Sequence, residues 1–175
     1  MRKIGVIAVA ALFAAVAAPS ALAAPTPNAG DRARAVQDCK TLRAQLGKPT
    51  FRTTYGTAGA NRKNAFARCF RQWSAEEAEN RVQAVADCRE ERGTTPESRQ
   101  AFRETYGTFG TCVAQKRRAE SRQDRRDVLN AARACKAERG TTEETRAAFR
   151  AKYGGTANAF GKCVSTLARA EDEEA

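Results

Sequence analysis

The feature that most constrains the fold of this chain is a unit that occurs three times, with two cysteines in every copy. In each copy a Cys is followed by Phe-Arg and then by Tyr-Gly, and a second Cys stands three residues after another Phe. The Tyr lies four residues after the Phe in every copy, whereas the interval from the Tyr to the second Cys is 14, 6 or 10 residues. Such self-similarity is typical of repeat proteins, and an interval of changing length indicates a surface loop.

Apolar residues around the second Cys recur with the period of an α-helix. Residues at i, i+3, i+4 and i+7 form one apolar stripe in the first and third copies: Phe66, Cys69, Phe70 and Trp73, and Phe160, Cys163, Val164 and Leu167. Glycines suited to left-handed helix ends follow the first helix and the short Phe-Arg-x-x-Tyr segment of each copy: Gly47, Gly93, Gly140, Gly56, Gly107 and Gly154. No stretch alternates as a half-buried strand would. The sequence therefore predicts an all-α protein of three helical repeats, each made of a helix, a short helix, a loop and a helix.

The repeat boundaries fall at residues 31–74, 75–120 and 121–170. Ser74 to Glu77 has the spacing of a capping box, which would end one helix and begin another between the first two repeats. Residues 115–127 contain six basic and three acidic residues, with Ala119 as the only apolar one. That composition is typical of a helix solvated on all sides, so the third repeat could sit apart from the first two.

Residues 1–23 have the pattern of a signal peptide that is cleaved after Ala23. A short basic start is followed by an apolar run of about 15 residues and then by small residues. The run is shorter than the ~20 residues that a membrane-spanning helix needs, so we expect an exported chain that does not span the membrane. Residues 24–30, with two prolines and a glycine, predict a flexible lead-in, and residues 171–175 form an acidic tail.

Six cysteines in an exported chain predict disulfides. From residue 24 onward the chain has seven Phe, six Val and four Leu but no Ile or Met, so it has few large apolar residues from which to form a core. Six cysteines allow fifteen pairings, among which the sequence alone does not choose. Continuous helices would hold Cys69 about 28 Å from Cys88, and would separate Cys112 and Cys135 by about 35 Å, which favours pairing inside each repeat. The favoured pairs are Cys39–Cys69, Cys88–Cys112 and Cys135–Cys163, and each would stabilise the fold by roughly 3 to 4 kcal/mol.

The chain contains no histidine, which removes the commonest near-neutral acid or base and the usual zinc or haem ligand. The nearest cysteines lie 19 residues apart, so the sequence has neither a closely spaced metal-binding pair nor a Cys-x-x-Cys redox motif. No pair of acids stands out as the machinery of a carboxylate-based hydrolase, which is a lesser alternative. We therefore expect a non-enzymatic protein with no catalytic residue, no metal and no cofactor.

Cations recur at matching positions of the three copies, in a chain whose formal net charge is +11. The candidate anion-contacting residues follow the first Cys and the Phe of each copy: Lys40, Arg89, Lys136, Arg52, Arg103 and Arg150. A ladder of cations would suit an anionic cell-envelope polymer or a lipid surface. Cations also recur four residues past the first Cys, as Arg43, Arg92 and Arg139. The helix dipole alone favours cations near helix C-termini, such as Arg92 and Arg139 just before their glycines, which is the simpler interpretation of the recurrence.

We expect a binding or structural module at the cell envelope, and two other partner classes stay open. One helix face could bind a protein, as in a secreted inhibitor or adhesin. Nucleic acid is less favoured, because the repeated aromatic residues are needed for a scarce core rather than for base stacking.

The segment from Tyr153 to Val164, which reads YGGTANAFGKCV, resembles a motif of exported, Ala- and Arg-rich repeat proteins of actinobacteria. The upstream Ala134-Cys135-Lys136 belongs to the same pattern. The resemblance covers the three repeats and is clearest in the third, whereas in the first Ala67 replaces the glycine of Phe-Gly-x-Cys. It implies an exported helical module and carries over no catalytic or binding residue.

Overall fold

The computed structural model describes residues 23–57, 62–155 and 158–173, and its regular structure in these ranges is helical, without a strand. Six helices follow one another in the described ranges: α1 (Ala29–Tyr55), α2 (Ala65–Arg92), α3 (Pro96–Tyr106), α4 (Phe109–Arg139), α5 (Glu143–Lys152) and α6 (Ala159–Glu173). The predicted all-α fold is confirmed. The predicted signal peptide, apart from Ala23, and the last two residues of the acidic tail lie outside the described residues. No helix within the described ranges is long and apolar enough to cross a membrane.

Two long helices are shared between neighbouring repeats. α2 carries both Cys69 and Cys88, and α4 carries both Cys112 and Cys135, so each helix leaves one repeat and enters the next. In the first repeat the short segment is the end of α1, which has a non-helical residue at Gly47 with φ of 73°. In the second and third repeats the short segments are the separate helices α3 and α5. The predicted order of helix, short helix, loop and helix is therefore present in each repeat.

The three disulfides close each repeat on itself. The bonds join Cys39 to Cys69, Cys88 to Cys112 and Cys135 to Cys163, with Cα–Cα distances of 6.0, 6.1 and 6.0 Å. All six cysteines are fully buried. The predicted intra-repeat pairing is confirmed, for the reason that predicted it: a rigid helix separates the cysteines of different repeats.

The first and third repeats share one apolar core. Leu42 and Trp73 of the first repeat belong to the same buried cluster as Val128, Ala131 and Val164 of the third. The second repeat has a small cluster of its own, made of Cys88, Phe102 and Cys112 with Tyr106, Phe109 and Val113 packed against it. Within the described ranges α3 packs only on α2 and α4. The third repeat thus does not sit apart as residues 115–127 suggested, and the second repeat projects instead.

The predicted capping box at Ser74 is wrong. α2 runs without a break from Ala65 to Arg92, and the Ser74 hydroxyl donates to the carbonyl oxygen of Phe70 at 2.7 Å. Glu77, the other end of the pattern, is fully buried and contacts α4 instead of the backbone of Ser74. A serine hydroxyl inside a helix can donate to the carbonyl oxygen four residues earlier. Residues 74–77 therefore lie in the interior of α2, although their spacing is that of a capping box.

Five of the six glycines predicted at left-handed positions have φ between 59° and 74°, namely Gly47, Gly93, Gly107, Gly140 and Gly154. Gly56 is the exception, with extended backbone at φ −85° and ψ 153°. A Cβ at Gly56 would lie 2.5 Å from the Cβ of Arg62. Close approach of the following loop, not handedness, therefore requires glycine at this position.

Gly161 lets α6 approach α1. A Cβ at Gly161 would lie 2.4 Å from the carbonyl oxygen of Thr54, closer than real contacts allow. Gly110 holds the equivalent position in the second repeat, where such a Cβ would lie 3.9 Å from Thr108 Oγ1, an ordinary van der Waals contact. In the first repeat the equivalent Ala67 is exposed. The glycine is thus required only where the third repeat packs on the first.

We expect Gly161→Ala to lower the free energy of unfolding by about 1 to 3 kcal/mol, because the added methyl forces α6 away from α1. Gly110→Ala is the matched control, and it is expected to leave stability unchanged or raise it by up to about 1 kcal/mol through helix propensity. Urea denaturation of the two variants measures the difference. Equal stability of the two variants would contradict the close packing of the third repeat on the first.

Candidate functional site

The six cations predicted to contact anions lie on exposed or half-exposed parts of the helices. Five of them occupy the last turns of helices, as the dipole interpretation expects: Arg52, Arg89, Arg103, Lys136 and Arg150. Lys40 is exposed in the middle of α1. Arg103 lies on the projecting α3, which packs on neither α1 nor α5 among the described helices. Of the six, Arg150 is the one that lines the arginine-rich cavity between the first and third repeats.

We call this cavity the arginine cavity. It has a volume of about 390 Å³, within the range of small-molecule sites. Four guanidinium groups line it, from Arg62 after α1, Arg139 at the end of α4, and Arg146 and Arg150 of α5. The remaining lining includes Thr53, Asn158 and the rings of Phe149 and Phe160. The first and third repeats together build this cavity, which explains why no single repeat shows it in the sequence.

The arginine cavity carries positive charge that the described residues do not neutralise. Arg150 Nη2 is 2.8 Å from Glu143 Oε1, at an exposed pair. Within the described ranges, no carboxylate lies at ion-pair distance from Arg62, Arg139 or Arg146. An excess of guanidinium groups around a partly enclosed space favours a bound anion such as a phosphate or carboxylate.

Arg139 is held in place by the aromatic wall. Its guanidinium carbon lies 5.5 Å from the centroid of the Phe160 ring, in a cation–π arrangement. Its Nε is buried and has no hydrogen-bond partner among the described residues, and the same is true of Asn158 Oδ1. A buried donor without a partner is costly, so a ligand oxygen that accepted from it would bind favourably.

A second cationic depression continues from the arginine cavity, and we call it the basic groove. It has a volume of about 600 Å³ and is lined by Arg68, Arg71 and Lys162. Asn158 lines both spaces, so the two are adjacent. Seven cations therefore line two adjacent spaces at the contact between the first and third repeats, and a polymer with several anionic groups would contact more of them than a single ion would.

A buried network of charges joins α1, α2 and α4. Arg117 Nη2 donates to Asp31 Oδ1 at 2.7 Å and to Glu77 Oε2 at 2.9 Å, and both acids are fully buried. The Ser121 hydroxyl donates to Glu77 Oε1. Arg81 pairs with Asp31 at 3.2 Å. The charged stretch that suggested a fully solvated α4 thus contains residues that are buried because they meet Asp31 of α1 and Glu77 of α2.

Asp38 extends this network beside Glu77. The side chain of Asp38 is buried and accepts a hydrogen bond from Arg125. The pKa of Asp38 is raised from 3.8 to about 6, mainly by burial and next by the negative charge of Glu77, while Arg125 opposes the rise. These are the two close acids that a hydrolase would need, but both oxygens of Glu77 already accept hydrogen bonds from Arg117 and Ser121. Both acids therefore take part in contacts between helices.

The raised pKa of Asp38 predicts a stability that depends on pH. The folded protein binds the proton more tightly than the unfolded chain, so the free energy of unfolding falls as pH rises from about 4 to about 6. The fall attributable to Asp38 is at most about 3 kcal/mol. We expect Asp38→Asn to remove this part of the pH dependence and to raise stability at neutral pH, because the amide imitates the protonated acid.

Asp87→Asn is the matched control for this measurement, because Asp87 stands before Cys88 as Asp38 stands before Cys39. Asp87 accepts from Gln83 at an exposed site, so its substitution should leave the pH profile as in the native chain. Urea midpoints recorded across the acid range test both variants. An Asp38→Asn profile with the native slope would show that another group sets the pH dependence.

No protein-family model, curated protein or solved structure matches this chain. The resemblance to exported actinobacterial repeat proteins therefore stays a prediction. A functional proposal for this chain therefore rests on the geometry and charge of the described residues.

Proposed function

We propose that this protein is an exported, non-enzymatic helical repeat protein that binds an anionic polymer of the cell envelope along the arginine cavity and the basic groove. The observation that carries the proposal is the set of four guanidinium groups around one cavity of about 390 Å³, three of them without an acidic partner among the described residues. Export is supported by three buried disulfides, since such bonds persist in oxidising compartments.

A polymer fits the described surface better than a bilayer or a protein partner. Val82 is the one exposed large hydrophobic residue in the part of the chain that the structure describes. Membrane-surface helices bury an apolar face in the lipid, and stable protein interfaces are centred on buried aromatic or aliphatic anchors. Cations outnumber the aromatic side chains in the walls of these two spaces, where Tyr55, Phe149 and Phe160 also lie. This excess of positive charge favours a flexible polyanion whose charged groups enter the two spaces one after another.

The proposal is tested by binding to inorganic polyphosphate and to poly-glutamate at low ionic strength. We expect Arg139→Gln/Arg146→Gln to weaken binding by about tenfold or more, because each lost guanidinium removes charge-assisted hydrogen bonds worth about 1.5 to 3 kcal/mol. Affinity of the native protein should fall steeply as salt rises, through release of counterions from the polymer.

Arg92→Gln/Arg99→Gln is the matched control, since both positions lie 47 residues upstream and occupy the same places in the second repeat. The control removes the same charge but leaves the arginine cavity intact, so its affinity should stay within about threefold of the native value, as expected for surface charges. Equal losses in the two variants would show that net charge alone drives binding. Binding confined to anionic vesicles would replace the polymer by a lipid surface.

A further inference from the structure

A cavity of opposite charge lies next to the basic groove. It has a volume of about 490 Å³ and forms where α1, α2, α4 and α6 meet. Four carboxylate residues line it, in a chain of strongly positive net charge: Glu76, Glu79, Asp124 and Asp127. Among its described lining residues Arg169 is the only cation. We call this space the acidic cavity.

Asp127 is a buried acid in the wall of the acidic cavity, and one of its carboxylate oxygens has no partner among the described residues. Its side chain is almost fully buried, with 3% of the residue exposed. Oδ1 accepts a hydrogen bond from Gln123 Nε2 at 2.8 Å, but Oδ2 is buried without a partner among the described residues. An unpaired buried carboxylate oxygen is costly, because water is removed and nothing replaces it.

The first repeat shows how such an acid is satisfied elsewhere in this chain. Asp31 stands eight residues before Cys39, as Asp127 stands eight residues before Cys135. Asp31 is neutralised by Arg117 at 2.7 Å and by Arg81 at 3.2 Å. Asp127 has no ion pair of this kind within the described ranges. Asp127 thus matches Asp31 in position and burial but has no paired arginines of the kind that Arg81 and Arg117 provide for Asp31 within the described ranges.

The wall of the acidic cavity indicates the chemical class of the cation. Trp73, Val128 and Val164 contribute apolar surface beside the carboxylates. No group of three or more His, Cys, Asp or Glu side chains in the described part of the chain is arranged to hold a metal ion. A mixed apolar and anionic wall suits an organic cation, with an ammonium or guanidinium group on an aliphatic stem.

We propose that the acidic cavity binds an organic amine, whose ammonium group lies against Asp127 and whose aliphatic stem packs on the apolar wall. This inference does not depend on the proposed function, because it concerns other residues and the opposite charge. Trp73 lines the acidic cavity and is the only tryptophan of the chain, so its fluorescence reports on occupancy directly.

The test is a titration of the full chain with cadaverine, followed by Trp73 fluorescence at fixed ionic strength. We expect a saturable change below about 10 mM, the range of a weak single-site ligand. Asp127→Asn should weaken the affinity for cadaverine by about tenfold. Glu79→Gln, tested separately, should weaken it by a smaller factor, because a buried charge interacts more strongly with the ligand than an exposed one. Glu120→Gln is the matched control on the exposed surface of α4 and should bind as the native chain does.

Three results would overturn the inference. One is the absence of a saturable response in the native chain. Another is an equal response to magnesium chloride at the same ionic strength, which would make the effect one of screening. The third is an equal loss of affinity in Glu120→Gln and Glu79→Gln, which would assign the effect to net charge. Circular dichroism of each variant verifies that it is folded, and Glu79→Gln, at an exposed position, keeps the test decisive if Asp127→Asn does not fold.

Discussion

Reduction of the three disulfides is expected to unfold this protein at room temperature and neutral pH. The bonds close loops of 30, 24 and 28 residues. In the chain-entropy model each loop contributes about 3 to 4 kcal/mol, so the three together contribute about 10 kcal/mol. That sum is comparable to the whole stability of a typical domain, about 5 to 15 kcal/mol. Thermal melts followed by circular dichroism, with and without a phosphine reductant, measure the effect.

The same prediction can be tested on the second repeat alone. Its own cluster has only three fully or nearly buried residues, Cys88, Phe102 and Cys112. Cys88→Ala/Cys112→Ala is therefore expected to unfold α3 while the shared core of the first and third repeats persists. Hydrogen exchange should show lost protection at Phe102 and retained protection at Val164. Native protection of α3 in this variant would contradict the assigned role of the disulfide.

Replacement of Arg117 by methionine is expected to lower the free energy of unfolding by about 3 to 5 kcal/mol. The substitution leaves Asp31 and Glu77 buried without the guanidinium that both accept from, at 2.7 and 2.9 Å. The loss comes mainly from these two buried charges, because methionine keeps most of the apolar contact of the arginine stem. Asp31 then keeps its pairing with Arg81, and Glu77 keeps its hydrogen bond from Ser121. Urea denaturation at neutral pH measures it.

Arg118→Met is the matched control, since Arg118 is the exposed neighbour on α4. Its effect should stay within about 0.5 kcal/mol, as is usual at the surface. In the Arg117→Met background, Asp31→Asn/Glu77→Gln should recover part of the lost stability, because the acids then carry no charge. A loss of less than about 1 kcal/mol in Arg117→Met would show that the buried network contributes little.

The helices and the disulfides could be predicted because they depend on local sequence. The pairing within each repeat was favoured on the condition that continuous helices separate Cys69 from Cys88 and Cys112 from Cys135, and both helices are unbroken in the structure. The left-handed glycines followed from the same local reasoning, apart from Gly56, whose requirement arises from contact with the loop around Arg62. A capping box at Ser74 was a local pattern too, and tertiary contact of Glu77 with α4 decided against it.

The packing of the third repeat on the first could not be predicted from composition. Arg117, Ser121 and Asp127 are polar, so the stretch that contains them has the pattern of a solvated helix. Arg117 and Ser121 are buried because they pair with acids on other helices, and Asp127 is buried in the wall of the acidic cavity. Polar burial is specified by pairing across the fold, and a single sequence does not show which charges will meet.

The arginine cavity was missed for a related reason. Arg139 recurs with Arg43 and Arg92 four residues past the first Cys, where the helix dipole is the simpler interpretation, and Arg146 has a counterpart in Arg99 of the second repeat. The contact of α6 with α1 forms the cavity that Arg139 and Arg146 line together with Thr53 of α1. Of the six cations predicted to contact anions, Arg150 alone lines it. Gly161 does not mark this junction in the sequence, because Gly110 holds the same place in the second repeat and only the structure shows that the neighbours of Gly161 require a glycine.

The formation of the three covalent links is tested most directly by the intact mass of the protein, exported from its host and alkylated under denaturing conditions without a reductant. If each repeat is closed by its own disulfide, the mass is unchanged, and six alkyl groups appear only after reduction. Six alkyl groups on the unreduced protein would contradict the proposed source of its stability.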